Sequence, residues 1–150
     1  MNIAGSYRRK AKNSGDIDLL ITQNDNKIPF GKSLKLIIKE LKDLGIIKAV
    51  LANGKKKFMG LTKIKNYKHR HLDIIETTKE DYPFALLYFT GSGPFNVKMR
   101  KQALSLGYSL NEYNMTYKNT KDIVKDIKIK TEKDIFTLLK MDYKEPENRI

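Results

Sequence analysis

The sequence contains no cysteine, no tryptophan and only four prolines among its 150 residues. The absence of cysteine excludes disulfide bonds, thiolate nucleophiles and cysteine-type zinc sites, and it fits a reducing compartment. No stretch approaches the roughly 20 apolar residues that a bilayer-spanning helix needs, and residues 1–12 have no apolar core of the kind found in signal peptides. We therefore expect a soluble intracellular protein without a membrane partner, in a compartment, nucleus or cytoplasm, that the sequence does not distinguish.

Negative charge is scarce: 17 Asp and Glu residues face 30 Lys and Arg residues, which gives a formal net charge of +13. Such a field attracts polyanions and speeds their encounter. Lysine supplies most of the charge and suits diffuse attraction to phosphate, whereas the few arginines are better candidates for bidentate contacts. The composition favours a nucleic-acid partner, with a merely solvated basic surface as the alternative.

The hydrophobic pattern predicts two lobes, residues 1–79 and residues 80–150, that pack directly against each other. The first lobe is expected to hold a buried strand at 16–22, a polar loop at 23–31, a helix at 34–44 capped by Ser33, a hairpin with a type I′ turn at Asn53-Gly54, and a strand at 70–75. The second is expected to hold helices at 82–89 and 95–106, a β segment at 108–118, a helix at 132–140 capped by Thr131, and a polar tail.

Two carboxylates, Asp16 and Asp18, stand at the start of the first buried strand, and a third, Asp73, lies within the strand "HLDII". Side chains two residues apart leave the same face of a strand. If the two strands are neighbours, three carboxylates meet in an oxygen-rich site suited to hard divalent cations such as Mg²⁺. Two such ions favour phosphoryl or nucleotidyl transfer, although an isolated D-x-D is more often a strand-edge or turn feature.

Small residues near the amino terminus predict a phosphate site. Gly5-Ser6 offers backbone N–H groups and a hydroxyl to a phosphate. Ser14-Gly15 is a second pair of small residues, immediately before Asp16. Arg8 and Arg9 follow Gly5-Ser6 and either could hold a triphosphate. An ordinary turn followed by a solvated basic patch is the alternative interpretation.

The segments "GSYRRKAKNSGDIDLLIT", "HLDII", "LLYFTGSGPFNVKMRKQAL", "GYSLNEY", "TEKDIF" and "YKEPENR" together resemble the palm and thumb of polymerase beta-like, family X DNA polymerases. The resemblance implies an α+β fold: a nucleotidyltransferase-type palm, with a mixed β-sheet and helices, at 1–79, and a small α/β thumb at 80–150. It also implies a template-directed repair polymerase that transfers a deoxynucleoside monophosphate from a dNTP to a primer 3′-hydroxyl. Its partners would be gapped or primer-template DNA and the dNTP.

The resemblance also assigns roles to individual residues. Asp16, Asp18 and Asp73 would be catalytic and would bind two Mg²⁺ ions, with Mn²⁺ as a substitute. The nucleotide-binding positions would be Gly5, Ser6, Arg9, Ser14 and Gly15 around the triphosphate, Tyr88, Phe89, Thr90 and Gly91 under the sugar, and Asn96 at the incoming base. The DNA-binding positions would be Arg100 on the template side of the new pair and Glu112 and Tyr113, which help to hold the closed thumb.

The sequence departs from the family pattern at three places. His71 stands where an arginine is usual, and Ile75 replaces a polar residue. The chain begins just before Gly5, so the expectation is that the lyase domain, the fingers and the leading palm helix are missing. Two other functions therefore stay open: untemplated nucleotidyl or terminal transfer, and a catalytically inactive DNA-binding remnant.

Overall fold

A five-stranded mixed sheet organises the first half of the chain in the computed structural model, which describes residues 1–23 and 28–150. Its elements are β1 (Asn2–Ile3), α1 (Gly5–Arg8), β2 (Asp16–Ile21), α2 (Lys32–Asp43), β3 (Ile47–Asn53), β4 (Lys57–Thr62) and β5 (Arg70–Glu76). The strand order is β1-β2-β5-β4-β3, and β2 and β5 run parallel while the other neighbours run antiparallel. The predicted mixed sheet with helices is confirmed.

Helices dominate the second half of the chain. The elements are α3 (Tyr82–Thr90), α4 (Gly93–Ser105), β6 (Tyr108–Leu110), β7 (Met115–Tyr117), α5 (Glu132–Leu138) and a 3₁₀ turn (Pro146–Asn148). All three predicted helices are present, with ends that differ by two residues or fewer. None of the described helices is both long and apolar enough to cross a membrane.

Each half of the chain has its own apolar core, and a third cluster joins them. Leu34 and Ile38 of α2 pack on one sheet face with Phe58, and Phe95 of α4 packs with Phe136 of α5 in the second half. Leu20, Ile75 and Ala85 form the joining cluster between the opposite sheet face and α3. The carboxylate-bearing strands β2 and β5 are therefore covered by α2 on one face and approached by α3 on the other.

Two local predictions in the first half are wrong. The β3–β4 turn is not a two-residue type I′ turn, because Asn53 pairs with Phe58 and Gly54, which lacks positive φ, donates its N–H to the Lys57 carbonyl across a wider loop. Ser33 lies inside α2 rather than at its cap, which is Gly31 at φ +84°. The predicted loop at 23–31 lies partly outside the described residues, since 24–27 are not described.

A buried carboxylate replaces the missing helix cap. Gly31 has no side chain to accept the first N–H groups of α2, and Glu76, 2% exposed, accepts from the Leu34 N–H at 2.9 Å. A negative charge at a helix amino terminus is favourable because it faces the positive end of the helix dipole. Glu76 thus fixes the end of β5 against the start of α2.

Thr131 caps α5 as predicted, in a reciprocal capping box with Asp134. Asp134 accepts from the backbone N–H groups of Lys130 and Thr131, at 2.9 and 2.8 Å, and these hydrogen bonds lower the pKa of its carboxyl.

We expect Asp134→Ala to lower the free energy of unfolding by about 1 kcal/mol, the usual cost of losing such a cap. Urea unfolding followed by circular dichroism measures this, with Asp142→Ala at an exposed position as the control that leaves stability unchanged. An Asp134→Ala protein as stable as the wild type would contradict the role given to the capping box.

Candidate active site

Three aspartates meet on the sheet face that α3 approaches. Asp18 and Asp73 are direct partners in the parallel β2–β5 ladder, and Asp16 lies two residues before Asp18. Adjacent strands lie about 4.8 Å apart and alternate side chains share a face, so the three carboxylates converge. Leu20 and Ile75, two residues beyond on the same strands, are buried against α3 and close the far side of the site.

Asp18 lies at the centre of this group and is affected by the charges of the other two aspartates. Burial, and then repulsion from Asp73 and Asp16, raises the pKa of Asp18 above its ordinary value, while Lys57 and Arg9 oppose the shift. A cation placed among the three carboxylates would remove that repulsion. One cationic group in contact with these carboxylates is the Lys57 ammonium, whose Nζ lies 2.8 Å from Asp73 Oδ2.

The donor set fits divalent ions by its chemistry. Carboxylate oxygens are the ligands that Mg²⁺ prefers, and the strand register brings all three to one face. In the part of the chain that the structure describes, no three acidic or histidine side chains are positioned to hold one metal ion as they stand. In this arrangement Asp73 is paired with the Lys57 ammonium.

The short helix α1 lies against Asp18. Gly5, at φ +62°, is buried, and its backbone is so close to the Asp18 carboxylate that a Cβ there would overlap it. The Ser6 hydroxyl donates to Ser14 Oγ at 2.9 Å, so the two small polar segments predicted to bind phosphate are adjacent. Gly15, next to Asp16, has open space around it. These residues line one side of the carboxylate site.

The two arginines after Ser6 have different surroundings. Arg9 Nη1 donates to the Thr90 carbonyl at the end of α3 and lies close to Gly91, which brings three predicted nucleotide-binding positions together. Arg8 instead pairs with Glu132, its Nη2 lying 2.7 Å from Glu132 Oε2. The sequence left both arginines open as triphosphate ligands, and the contacts of Arg8 direct it into the protein.

A second group of predicted residues gathers at the end of α3 and the start of α4. Asn96 Nδ2 donates to the Tyr88 carbonyl at 2.8 Å, and the Arg100 guanidinium lies over the Tyr88 ring, 5.1 Å from its centroid. Arg100 Nη2 also lies 3.6 Å from Glu112 Oε2. Asn96 and Arg100, four residues apart on α4, thus share one helix face that turns toward Tyr88.

A cavity of about 250 Å³ lies between the sheet and this group, lined in part by Lys57, Tyr88, Phe89, Glu112 and Tyr113. It joins predicted nucleotide-binding and DNA-binding positions to the neighbourhood of Asp73. Thr90 and Gly91 do not line it and face Arg9 instead. The Lys56 ammonium lies 5.2 Å from the centroid of the Tyr113 ring, on the wall of the same cavity.

The two substituted family positions lie on opposite sides of Asp73 along β5. His71 pairs in register with Asp16 and is exposed. Ile75 is buried with Leu20 and Ala85, where an apolar side chain fills space between the sheet and α3. The altered residues therefore differ in environment: one faces solvent beside the site and the other is part of its packed floor.

Sequence reasoning missed two features that shape the site. The first is Lys57, which belonged to a run of three lysines with nothing to distinguish it until the β4–β5 register was known. The second is Glu132, which accepts hydrogen bonds from Arg8 and Arg149. The polar tail predicted around Pro146 in fact carries Arg149 into the interior, where the residue is 1% exposed.

Comparison with family models gives two matches along the chain. A model described as DNA polymerase beta palm matches residues 1–79, and one described as DNA polymerase beta thumb matches residues 85–150. All the predicted site residues lie within these two matched ranges.

Two similar proteins show how far the likeness extends. DNA polymerase lambda of Rattus norvegicus is 34% identical over 97% of this chain, which spans only 28% of that protein. Repair DNA polymerase X of African swine fever virus (isolate Tick/Malawi/Lil 20-1/1983) is 30% identical over 97% of this chain, which spans 79% of the length of that protein.

Solved structures agree with the sequence comparisons. The polymerase beta of Leishmania infantum, in a ternary P/T complex, superposes with a TM-score of 0.87 at 32% identity, over 99% of this chain and 66% of that chain. The same enzyme in a ternary gap complex superposes with a TM-score of 0.86 at 30% identity, over 99% of this chain and 61% of that chain.

Proposed function

Because this chain belongs to the polymerase beta family of DNA polymerases, family X, we propose that it is a template-directed repair polymerase acting on gapped or primer-template DNA. The reaction joins the primer 3′-oxygen to the α-phosphorus of a dNTP, while the bond to the bridging oxygen breaks and pyrophosphate leaves. The observation that carries the proposal is the convergence of Asp16, Asp18 and Asp73 on one sheet face.

Asp16, Asp18 and Asp73 would hold two Mg²⁺ ions, or Mn²⁺ in their place. Bound there, the ions would activate the attacking oxygen and stabilise the charge that develops on the leaving phosphate. Asp73 would also accept the proton of the primer hydroxyl, which requires a carboxylate within hydrogen-bond reach of that oxygen. Its exposed fraction of 19% leaves an edge open to a primer end.

The chain's other residues would orient the substrates. Ser6, Ser14, Gly15 and the backbone of Gly5 would bind the triphosphate, and Arg9 would release the Thr90 carbonyl to join them, since a guanidinium binds phosphate bidentately. Tyr88 and Phe89, which line the cavity beside Lys57, would lie under the incoming sugar. Such positioning supplies much of the rate in phosphoryl transfer.

Asn96 and Arg100 favour templated over untemplated synthesis. Both lie on the face of α4 that turns to Tyr88, where they could test the shape of a new base pair through its minor-groove acceptors. Glu112, 3.6 Å from Arg100, would hold that arginine in place, and Tyr113 would stabilise the same closed arrangement.

Primer extension by the purified chain tests the proposal, using a gapped duplex, a primer-template and a single strand with Mg²⁺ and all four dNTPs. We expect the template-specified nucleotide to be added, and Asp73→Asn to reduce the rate by at least about 10²–10³-fold, the range found when one group stabilising the transition state is removed. Asp43→Asn is the matched control, because Asp43 is an exposed partner of Lys39 on α2.

Equal extension of the single strand and the primer-template would contradict templated synthesis and support terminal transfer. A folded protein that binds DNA without extending it would support the inactive DNA-binding remnant. Loss of activity in Asp43→Asn as well as Asp73→Asn would show that the assay reports general damage rather than the site.

A further inference from the structure

Lys57 occupies a position set by strand pairing rather than by chance contact. It pairs in register with Ile75, and Met59 pairs with Asp73, in the antiparallel β4–β5 ladder. Directly opposed residues share a sheet face, so Lys57 projects on the same face as Asp73. Its Nζ lies 2.8 Å from Asp73 Oδ2.

We propose that Lys57 is a built-in counter-ion of the carboxylate site, which pairs with Asp73 in the metal-free protein and must leave Asp73 before a divalent ion is held by all three aspartates. The inference rests on the proposed function, because it takes the three aspartates to be a divalent-ion site. It adds a positioning residue to that site: Lys57 sets how readily the ion enters.

Competition follows from the charges involved. Three carboxylates at one point repel one another, and the ammonium reduces that repulsion while no metal is bound. A divalent ion in the same place would meet the ammonium as a like charge, so the lysine must withdraw. Because the Lys57 side chain is 41% exposed while Asp73 is 19% exposed, the lysine is the partner with freedom to move.

The surroundings give the displaced ammonium a place to go. Lys57 lines the 250 Å³ cavity next to Asp73, and the carboxylates of Asp81 and Glu112 line the same cavity. A lysine carries its charge on a flexible four-carbon stem, so a swing of the side chain can move the ammonium from Asp73 toward these groups. Entry of the metal ion would therefore move the Lys57 ammonium into the cavity.

Binding of Mn²⁺ alone, measured by electron paramagnetic resonance without DNA or nucleotide, tests the proposal. We expect Lys57→Met to tighten Mn²⁺ binding about tenfold or more, since close charge pairs couple by at least this amount. Lys57→Arg, which keeps the charge, should retain the wild-type affinity. Lys56→Met is the matched control, because it removes one positive charge at the adjacent residue, whose ammonium lies over the Tyr113 and Phe30 rings instead.

A double-mutant cycle isolates the contact. In an Asp73→Asn background, Lys57→Met should no longer tighten Mn²⁺ binding. Equal tightening of Mn²⁺ binding by Lys56→Met and Lys57→Met would overturn the proposal, because the effect would then come from the loss of any nearby positive charge and not from the contact with Asp73. Weaker binding by Lys57→Met, or undetectable binding by wild type and variant alike, would also overturn it.

Thermal melting gives a second readout. The metal-free Lys57→Met protein should melt at a lower temperature than wild type, and added Mn²⁺ should raise its melting temperature by more than it raises that of wild type. Melting temperatures equal to those of wild type, both with and without Mn²⁺, would count against the pairing. None of these measurements requires catalysis. If primer extension fails while Lys57→Met still tightens Mn²⁺ binding, the polymerase proposal is wrong and the counter-ion inference stands.

Discussion

Glu132→Gln is expected to lower the free energy of unfolding by about 3–5 kcal/mol at pH 7, the cost of leaving buried charges without their partner. Glu132 Oε1 lies 2.7 Å from Arg149 Nη1, and Glu132 Oε2 lies 2.7 Å from Arg8 Nη2. The Arg149 side chain is fully buried and that of Glu132 is 6% exposed. The glutamine amide keeps the shape of the side chain but removes the charge that both guanidiniums share.

The position of this network explains why its loss should be felt throughout the fold. Arg8 ends α1, Glu132 begins α5, and Arg149 lies in the carboxyl-terminal segment. Arg8 also donates to the Thr90 hydroxyl at the end of α3. One carboxylate thus holds the amino-terminal side of the candidate site to the second half of the chain, so its removal should loosen α1.

Acid should weaken the same network. Burial pushes the pKa of Glu132 upward, but the hydrogen bonds from Arg8 and Arg149 and their positive charges outweigh it, so the pKa lies below its ordinary value of 4.5. A carboxyl with a depressed folded-state pKa contributes stability that is present above the unfolded pKa and is lost as pH falls through the folded one. The difference between wild type and Glu132→Gln should therefore be largest near neutral pH and shrink below about pH 4.5.

Urea denaturation at several pH values measures both effects. Glu147→Gln is the matched control, since Glu147 pairs with Lys10 at the surface, and exposed pairs contribute little to stability. Similar losses of stability in the two variants, or a Glu132→Gln deficit that is constant from pH 7 to pH 3, would contradict the account of a buried, charge-dependent network.

The elements of the fold were predictable where local patterns are strong. Leu34 and Ile38 recur at helical spacing and do lie buried on one face of α2, and Thr131 caps α5 as the sequence suggests. Long-range pairing was harder. The convergence of Asp18 and Asp73 needed the assumption that their strands are neighbours, which the β2–β5 register satisfies.

The parts that escaped prediction depend on contacts between distant residues. Asn53-Gly54 is a strong hairpin signal in isolation, yet the β3–β4 pairing closes a longer loop. Arg149 follows a polar segment that is typical of an exposed tail, but it is buried and donates to Glu132, 17 residues earlier in the chain. Lys57 is likewise defined by the strand beside it. The sequence alone does not distinguish one charged residue from another. Contacts in the folded protein decide whether such a residue is exposed, stabilises the fold or belongs to the candidate site.

Gly5→Ala is expected to reduce templated extension about 10²-fold while costing only about 1–2 kcal/mol of stability. A Cβ at this position would overlap Asp18 Oδ2 and lie 3.1 Å from Asp18 Cγ. The backbone at Gly5 also has φ +62°, where any other residue is strained by roughly 1–2 kcal/mol. The Asp18 carboxylate can rotate away, so the fold survives, but a displacement near 1 Å at a reacting centre costs about 10² in rate.

The comparison with Gly15→Ala separates crowding of Asp18 from the general loss of a glycine. Gly15 would meet the triphosphate through its backbone, which an alanine keeps. A Cβ there would meet nothing within 4 Å and its φ is not in the left-handed region, so we expect Gly15→Ala to extend primers at nearly the wild-type rate. Mn²⁺ binding should weaken in Gly5→Ala alone, because only there is one of the three aspartates turned away. Wild-type extension by Gly5→Ala would mean that the Asp18 carboxylate tolerates displacement, and that α1 does not position it for catalysis.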